Sequence, residues 1–439
     1  MTRAAVATTS PGGGTATTAV RTDAGYAGPF SQQVVTEKDP RIRAELQRLL
    51  DAARQVRPLL RESQAACEER GYYGEDVHEF FLEHGFYRML QPQEHGGLEF
   101  GPSAFYQVIA EIARGCPSTA WCLSLGAGHS LTLGSYFNAQ AQKEVWGEHG
   151  YMVCPASGQG REMTVTRVDG GWNISGTWRY ASGAPYSTHF MATAFLPGQE
   201  PGDPERRVWM ILNRKDFEIV WDWGRVIGMK GSGSQGITTS GAFVPDHHIS
   251  EETWTAAVDG PTVGFEALGN SNYNGTFFGF AEGEVASTSV GLGYAAIDEY
   301  QRIITSSSHP WVPDSGLRAD HQEWQRVLGM AISYVDAAQA TLVHSARLYE
   351  EYGARAAAQT EAFDESRSYR LNGVYFVVEH LVYQAMDLLL RTAGTQHSAD
   401  GMRLQRYFRD ALTTRTRTDQ FEGFSVNTGV AQLEQVTQG

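Results

Sequence analysis

The stretch Gly171–Gly183, GWNISGTWRYASG, decides how this chain is read. Asp169-Gly170-Gly171 before it and Ser175-Gly176 within it supply turn chemistry around alternating Trp172, Ile174, Thr177 and Tyr180, the pattern of a β-hairpin. Trp178 and Tyr180 flank Arg179 and so are expected on one face of the strand. The run ends in a wide aromatic edge beside one small hydroxyl residue, Ser182, a surface shaped to take one face of a flat heterocycle.

The same texture extends outward from Tyr151 to about Val244, where short β-branched or aromatic runs alternate with Gly, Pro and Asp. YMVCPAS, MTVTRVD, WNISGTWRY, HFMATAFL, RVWMILN, FEIVW and GITTSGAFV make about seven strands, which predicts an antiparallel β-barrel or sandwich over residues 151–258. Both flanks read as helical. In residues 39–150, Ile42, Leu46, Leu49, Leu50, Ala53 and Leu60 recur at helical spacing. A second helix near Asp76–Met89 runs into the stop signal Gln91–Gly97, and a third spans Ser103–Arg114. In residues 259–439 the helical pieces are Gly283–Ser306, Ala319–Tyr352, Glu365–Thr392 and Met402–Thr414. The fold class is α+β, with two helical regions packed together and a β module inserted between them.

At 439 residues and 41% hydrophobic content, the chain is long enough for two or three packed units with a large core. A formal charge of −15 without an offsetting basic stripe argues against nucleic-acid and anionic-membrane partners. Cys67, Cys116, Cys122 and Cys154 show neither CxxC spacing nor a paired histidine motif, which fits a reducing cytoplasm. HExxH is absent as well, so no catalytic metal is expected, and His247 and His248 read as surface loop residues. Residues 1–38 are rich in Ala, Thr and Gly and read as a disordered tail without the apolar core of a signal peptide. The apolar run Val374–Leu390 is interrupted by Glu379, His380, Gln384 and Asp387, as expected of a deeply buried helix rather than a membrane span.

Five further segments carry a family resemblance. These are Gln91–Gly97, Glu111–Trp121 (EIARGCPSTAW), Cys154–Gly158 (CPASG), Arg225–Ser234 (RVIGMKGSGS) with Val244–His248, and Leu404–Asp410 (LQRYFRD). In this order they resemble the acyl-CoA dehydrogenase fold, and within it the oxygenase components of two-component flavin-dependent monooxygenases. The resemblance implies an N-terminal helical domain, a central β domain and a C-terminal four-helix bundle, assembled as a homotetramer. It implies O2 and reduced FMN or FAD as reactants, a flavin hydroperoxide as the oxygenating species, and a separate flavin reductase as partner. No GxGxxG follows a strand and opens a helix, so nicotinamide binding is not indicated.

By the same resemblance, Ser182 lies where a small hydroxyl approaches flavin N5, and Ser157 lies on the other flavin-facing loop. One of Trp178 and Tyr180 is expected to stack on flavin and the other to pack in the core. His129, in WCLSLGAGHS, is placed to orient or deprotonate substrate. Arg302, Arg318 and Gly394 are candidates for the flavin phosphates, against surface ion pairing for the arginines. Tyr273, Phe277 and Phe278, in FEALGNSNYNGTFFGF, are a candidate substrate wall or lid, or part of a structured crossover.

The chain also departs from the family. Phenol-hydroxylating relatives carry a histidine shortly after the Arg-Asp of the C-terminal helix, where this chain continues ALTTRTRTDQFEGF; His397 precedes the motif. Phe421-Glu422-Gly423 resembles the Tyr-Glu-Gly around the proton-abstracting glutamate of acyl-CoA dehydrogenases, about one helical turn too far from Arg409-Asp410. The favoured expectation is oxygenation of a small aromatic or polyketide-like metabolite. The alternatives are N-oxygenation of an amine, an acyl-CoA dehydrogenase using Glu422 as base, and an assembly partner without chemistry.

Overall fold

The structure, a computed structural model, describes residues 37–158, 160–197, 205–250, 257–416 and 418–438; the side chains of residues 418–422, 435 and 438 also lie outside the described set. The tail expected over residues 1–38 therefore falls, but for its last two residues, outside the described residues.

Local signals start the helices where the spacing places them. Asp39 caps α1 (Pro40–Glu62) by accepting from the Arg41 amide at 2.8 Å, with Pro40 at the first helical position. Its stripe of Ile42, Leu46, Leu49, Ala53, Val56 and Leu60 is buried. Two short helices follow, α2 (Gln64–Arg70) and α3 (Glu75–His84). Every residue of α4 (Pro102–Ala113) is buried, because it runs between α1, α5 (Pro117–Tyr136) and the first long helix of the C-terminal half. The helix α6 (Ala139–His149) closes the N-terminal region.

The β module forms two sheets. One has the order β1 (Ala156–Ser157), β4 (His189–Leu196), β5 (Arg206–Asn213). The other has the order β2 (Gly160–Val168), β3 (Gly171–Ala181), β7 (Gln235–Pro245), β6 (Glu218–Val220). Their inner faces share a core of Ile174, Trp178, Phe190, Met210 and Ile237, which makes the module a sandwich. All pairings are antiparallel except the short β1–β4 pair. Only Ala156 and Ser157 of YMVCPAS become strand.

In β3 two expectations are corrected. Asp169-Gly170 is the hairpin turn, with Gly170 at φ 73°, but Ser175-Gly176 is not a second turn. It lies inside one continuous strand, where the register with β7 shifts between Ile174 and Gly176 as a bulge. A second shift falls between Trp178 and Ala181, with Tyr180 at φ 64°. That bulge breaks the alternation: Trp178 is buried between the sheets while Tyr180 is 58% exposed, so the two do not share a face.

After the short α7 (Val263–Leu268), four long helices build the bundle: α8 (Phe277–Ser306), α9 (Gln322–Ala357), α10 (Glu365–Ala393) and α11 (Arg403–Arg415). A further helix unmarked by the sequence reading, α12 (Thr418–Gln438), packs on α10. By length and composition α10 would span a bilayer, yet it packs against α8, α9, α11 and α12 as a bundle helix. It is less deeply covered than expected, with Val377 exposed in the single chain.

The two helical regions share one core, in which Leu49, Phe105 and Tyr106 meet Val290, Tyr300 and Tyr375. A buried ion cluster pins them together, with Arg114 Nη2 2.7 Å from Asp298 Oδ1 and Arg61 on the other carboxylate oxygen. Burial alone would raise the Asp298 pKa, but hydrogen bonds and charge from Arg114 and Arg61 hold it below the usual range. Arg114 belongs to EIARGCPSTAW, so part of that motif is a clasp between the helical halves.

Candidate active site

A cleft of about 710 Å³ opens where α5, the sandwich, α8 and α12 meet, a volume typical of small-molecule sites. The helix α5 supplies Trp121, Leu125 and His129, spaced by four and so on one face. Eight residues separate Trp121 from His129, about 12 Å along the axis. A flat ring system fits along that face.

At the Trp121 end lies a chain of hydroxyls. Trp121 Nε1 donates to Ser182 Oγ at 3.0 Å. Ser182 Oγ and Ser234 Oγ are 2.6 Å apart, and Ser234 and Ser232 2.7 Å. Ser182 reaches this place because the Tyr180 bulge turns the chain out of β3, and Gly183, at φ 89°, passes against the Cys122 carbonyl of α5, where a Cβ would not fit. Tyr180 lines the rim with Trp223, ring centroids 6.1 Å apart and nearly perpendicular.

Ser232 and Ser234 sit on the RVIGMKGSGS loop, which docks on LQRYFRD of α11. The Met229 amide donates to Asp410 Oδ1 at 2.5 Å, Arg409 donates to the Ile227 carbonyl at 2.8 Å, and Gly228 leaves no room for a side chain against the Arg409 carbonyl. Burial pushes the Asp410 pKa up to about 8, partly offset by the Met229 bond. Two of the segments that carry the family resemblance are thus each other's binding partners, and together they hold the hydroxyl chain in position.

At the other end, His129 Nδ1 lies 2.7 Å from the Leu125 carbonyl and 2.9 Å from that of Cys154. Both partners are acceptors, so Nδ1 carries the proton and Nε2 keeps its lone pair. Burial lowers the pKa to about 4, with the two backbone bonds opposing. His129 is therefore neutral at pH 7 and offers Nε2 as an acceptor, which suits the orienting or deprotonating role expected from sequence.

Next to it lies a group that the sequence reading missed. Glu284 and Glu282 of α8 line the cleft, and Glu284 is 2% exposed. Gly128 makes room for it, since a Cβ there would collide with Glu284 Oε1. Ser124 and Ser287 hydroxyls bond the Glu284 carbonyl and fix that turn. Within GAGH it is Gly128 that admits this carboxylate, while Gly126 faces Val153. The signal was present in FFGFAEGEVAS, two acids inside an apolar helical run, but it matches no motif spacing. Phe277 and Phe278 complete the wall, Phe277 against Trp209 with centroids 5.5 Å apart and Phe278 against Phe424 of α12 at 5.9 Å.

Other expected site residues lie elsewhere. Ser157 is a buried strand-end residue whose hydroxyl donates to the Arg179 carbonyl at 2.7 Å; its neighbours Ala156 and Gly158 line the cleft. Trp178 is core, its Nε1 donating to the Thr193 carbonyl, and the stacking role expected of one of the pair does not fall to it. Tyr273 is also core rather than substrate wall: it is wholly buried against Gly134, and its hydroxyl donates to the Leu90 carbonyl. Arg302 lies 25 residues beyond Phe277 on α8, about 37 Å along the helix, paired with Glu299. Arg318 donates to the Ala393 carbonyl and packs over Gly394, which has φ 96°. His397 faces the same arginines, away from the cleft. Within one chain none of these lines the cleft. Glu422 has a side chain outside the described residues, although Gly423, Phe424 and Asn427 of its helix line the cleft.

Comparison with known proteins agrees with this architecture. Residues 36–148 match the model for the acyl-CoA dehydrogenase N-terminal domain, and residues 284–418 that for the acyl-CoA dehydrogenase C-terminal domain. The chain is 28% identical over 359 residues to the flavin-dependent monooxygenase oxygenase subunit HsaA of Rhodococcus jostii (strain RHA1), covering 81% of this chain and 90% of that one. It superimposes on the 3-HSA hydroxylase from Rhodococcus sp. RHA1 with TM-score 0.76 at 25% identity, over 89% of this chain and 97% of the other. XiaF from Streptomyces sp., solved with FADH2 and glycerol, gives TM-score 0.75 at 22% identity, over 88% and 96%. The chain belongs to the acyl-CoA dehydrogenase superfamily and, within it, to the flavin-dependent monooxygenases.

Proposed function

We propose that this protein oxygenates a small aromatic or polyketide-like substrate carrying an acidic O–H or N–H, in the cytoplasm, using O2 and reduced FMN or FAD delivered by a separate reductase. The observation that carries the reading is one cleft holding the Trp121–Ser182–Ser234–Ser232 chain at one end and His129 with Glu284 at the other. Reduced flavin with O2 supplies the oxygen-transferring chemistry.

The chain's own residues do the rest. With hydroxyl protons running from Ser182 to Ser234 to Ser232, Ser182 Oγ accepts from Trp121 and keeps one lone pair for the N5–H of a reduced flavin. That bond would hold the proton at N5. Tyr180 and Trp223, at the rim, would help hold a flavin ring, while Trp209, Phe277 and Phe278 would exclude water from the substrate. His129 Nε2 accepts from the substrate O–H or N–H. Glu284 stands in for the base that phenol-hydroxylating relatives carry on the C-terminal helix. An amine would be held by the same two acceptors, which keeps N-oxygenation as the alternative. Ser157 shapes the flavin-facing loop through its backbone. Arg302 and Gly394 would meet flavin phosphates only across subunits of a homotetramer.

The test is the coupling ratio, product formed per flavin oxidised. His129→Ala and Glu284→Gln should each lower it about 10-fold or more while the time course of flavin oxidation changes little. Equal loss of coupling and of that time course would overturn the assigned roles.

A further inference from the structure

Away from the cleft, the seam between α6 and the sandwich gathers ligating side chains that the monooxygenase reading does not use. Glu144 projects from α6, and His247 and His248 follow β7 in a short 3-10 turn. His247 Nε2 is 2.7 Å and His248 Nε2 3.3 Å from the same oxygen, Glu144 Oε2. All three ligand atoms lie within 4.8 Å of one another. In a tetrahedral zinc site with bonds near 2.0–2.1 Å, ligand atoms stand roughly 3.4 Å apart, so small side-chain rotations convert this cluster into three corners of one.

His248 is the decisive member. Its side chain is 6% exposed, and among the described residues Glu144 is the one side chain paired with its Nε2. Its Nδ1 lies 3.3 Å from the Ile211 carbonyl, which turns Nε2 toward Glu144. A backbone carbonyl orienting a histidine through its far nitrogen is the outer-shell arrangement of metal-ligating imidazoles. Glu144 and His247 are more open and leave a fourth position to water.

We propose that Glu144, His247 and His248 form a divalent transition-metal site of the Zn2+ class, bridging the N-terminal helical region to the β sandwich. Two imidazoles and one carboxylate favour a borderline ion such as Zn2+ over Mg2+ or Ca2+, which take oxygen sets. The site is a brace rather than a reaction centre. His248 rests on β5, and Trp209, two residues before Ile211 on that strand, lines the cleft. Sequence spacing conceals it, because 103 residues separate Glu144 from His247.

The experiment uses the full-length, untagged protein dialysed against EDTA and titrated with ZnCl2 by calorimetry, with thermal melts in parallel. The site predicts saturable uptake of one Zn2+ per chain and a melting midpoint raised by about 3 °C or more at saturation. His247→Ala changes a half-buried group and Glu144→Gln an exposed one, so both should fold, yet weaken uptake at least 10-fold and abolish the shift. Mg2+ at the same concentration should bring no shift. Absence of saturable uptake, or uptake unchanged in both variants, overturns the assignment, and neither outcome touches the flavin reading.

Discussion

Ser182 and Gly128 show what single residues contribute. The hydroxyl of Ser182 sits between a fixed indole donor and a second serine; with its proton on Ser234, one acceptor lone pair would be set before any ligand arrives. Ser182→Ala should leave folding intact, speed oxidation of bound reduced flavin by about 10-fold, and shift the products toward H2O2, read by peroxide assay under single turnover. Unchanged oxidation would remove Ser182 from the account. Gly128→Ala places a methyl where Glu284 Oε1 lies. It should cost about 1–3 kcal/mol in urea unfolding and lower coupling together, because the carboxylate must move. Ser182 and His129 were legible because each carries polar chemistry in a matched motif. Glu284 was not: a lone acid on a helix signals nothing until the glycine that faces it is known.

At the scale of elements, strand and helix ranges followed from periodicity, and the exceptions have physical causes. The Ser175-Gly176 pair was read as a turn because its residue types suit one, but pairing with both β2 and β7 keeps β3 continuous and turns the pair into a bulge. The second bulge separates Trp178 from Tyr180, which alternation alone placed together. The helix α12 escaped notice because TDQFEGFSVNTG mixes Gly, Asn and polar residues without a strong apolar stripe. The contact between the RVIGMKGSGS loop and α11 is long-range and invisible in either segment alone. Elements are also tied by charge. Asp298→Ala would leave Arg114 and Arg61 buried without their carboxylate and should cost about 3–5 kcal/mol, measured by urea unfolding. A loss under about 1 kcal/mol would show that the clasp is not what joins the helical halves.

For the whole molecule, the three-part order was readable from changes in texture along the chain, whereas the placement of Arg302, Arg318 and Gly394 was not: within one chain they pack away from the cleft. An apolar stripe of Val426, Val430, Leu433 and Val436 is exposed along α12, as is Val377 on α10. The homotetramer inferred above would cover such a face. Leu433→Asp should then reduce the assembled mass in light scattering without loss of helicity, and an unchanged mass would place the interface elsewhere. Acid stability follows from His129. Its folded pKa, about 4, is below the ordinary 6.5, so the unfolded chain binds more protons between those values. The contribution is complete above pH 6.5 and is lost as pH falls toward 4, up to roughly 3 kcal/mol for the full shift. Urea midpoints should therefore fall between pH 7 and pH 5, and less so in His129→Gln.

The most direct test of the central claim requires no knowledge of the substrate. Purified protein is mixed with anaerobically reduced FMN or FAD, then with oxygenated buffer, and the appearance of oxidised-flavin absorbance is followed by stopped flow. A flavin-dependent monooxygenase built around the Ser182 hydroxyl chain predicts a lag far longer than that of free reduced flavin, shortened by Ser182→Ala. Oxidation without a lag, together with tightly bound oxidised FAD bleached by acyl-CoA thioesters, would contradict the account and move the chemistry to a dehydrogenase using Glu422.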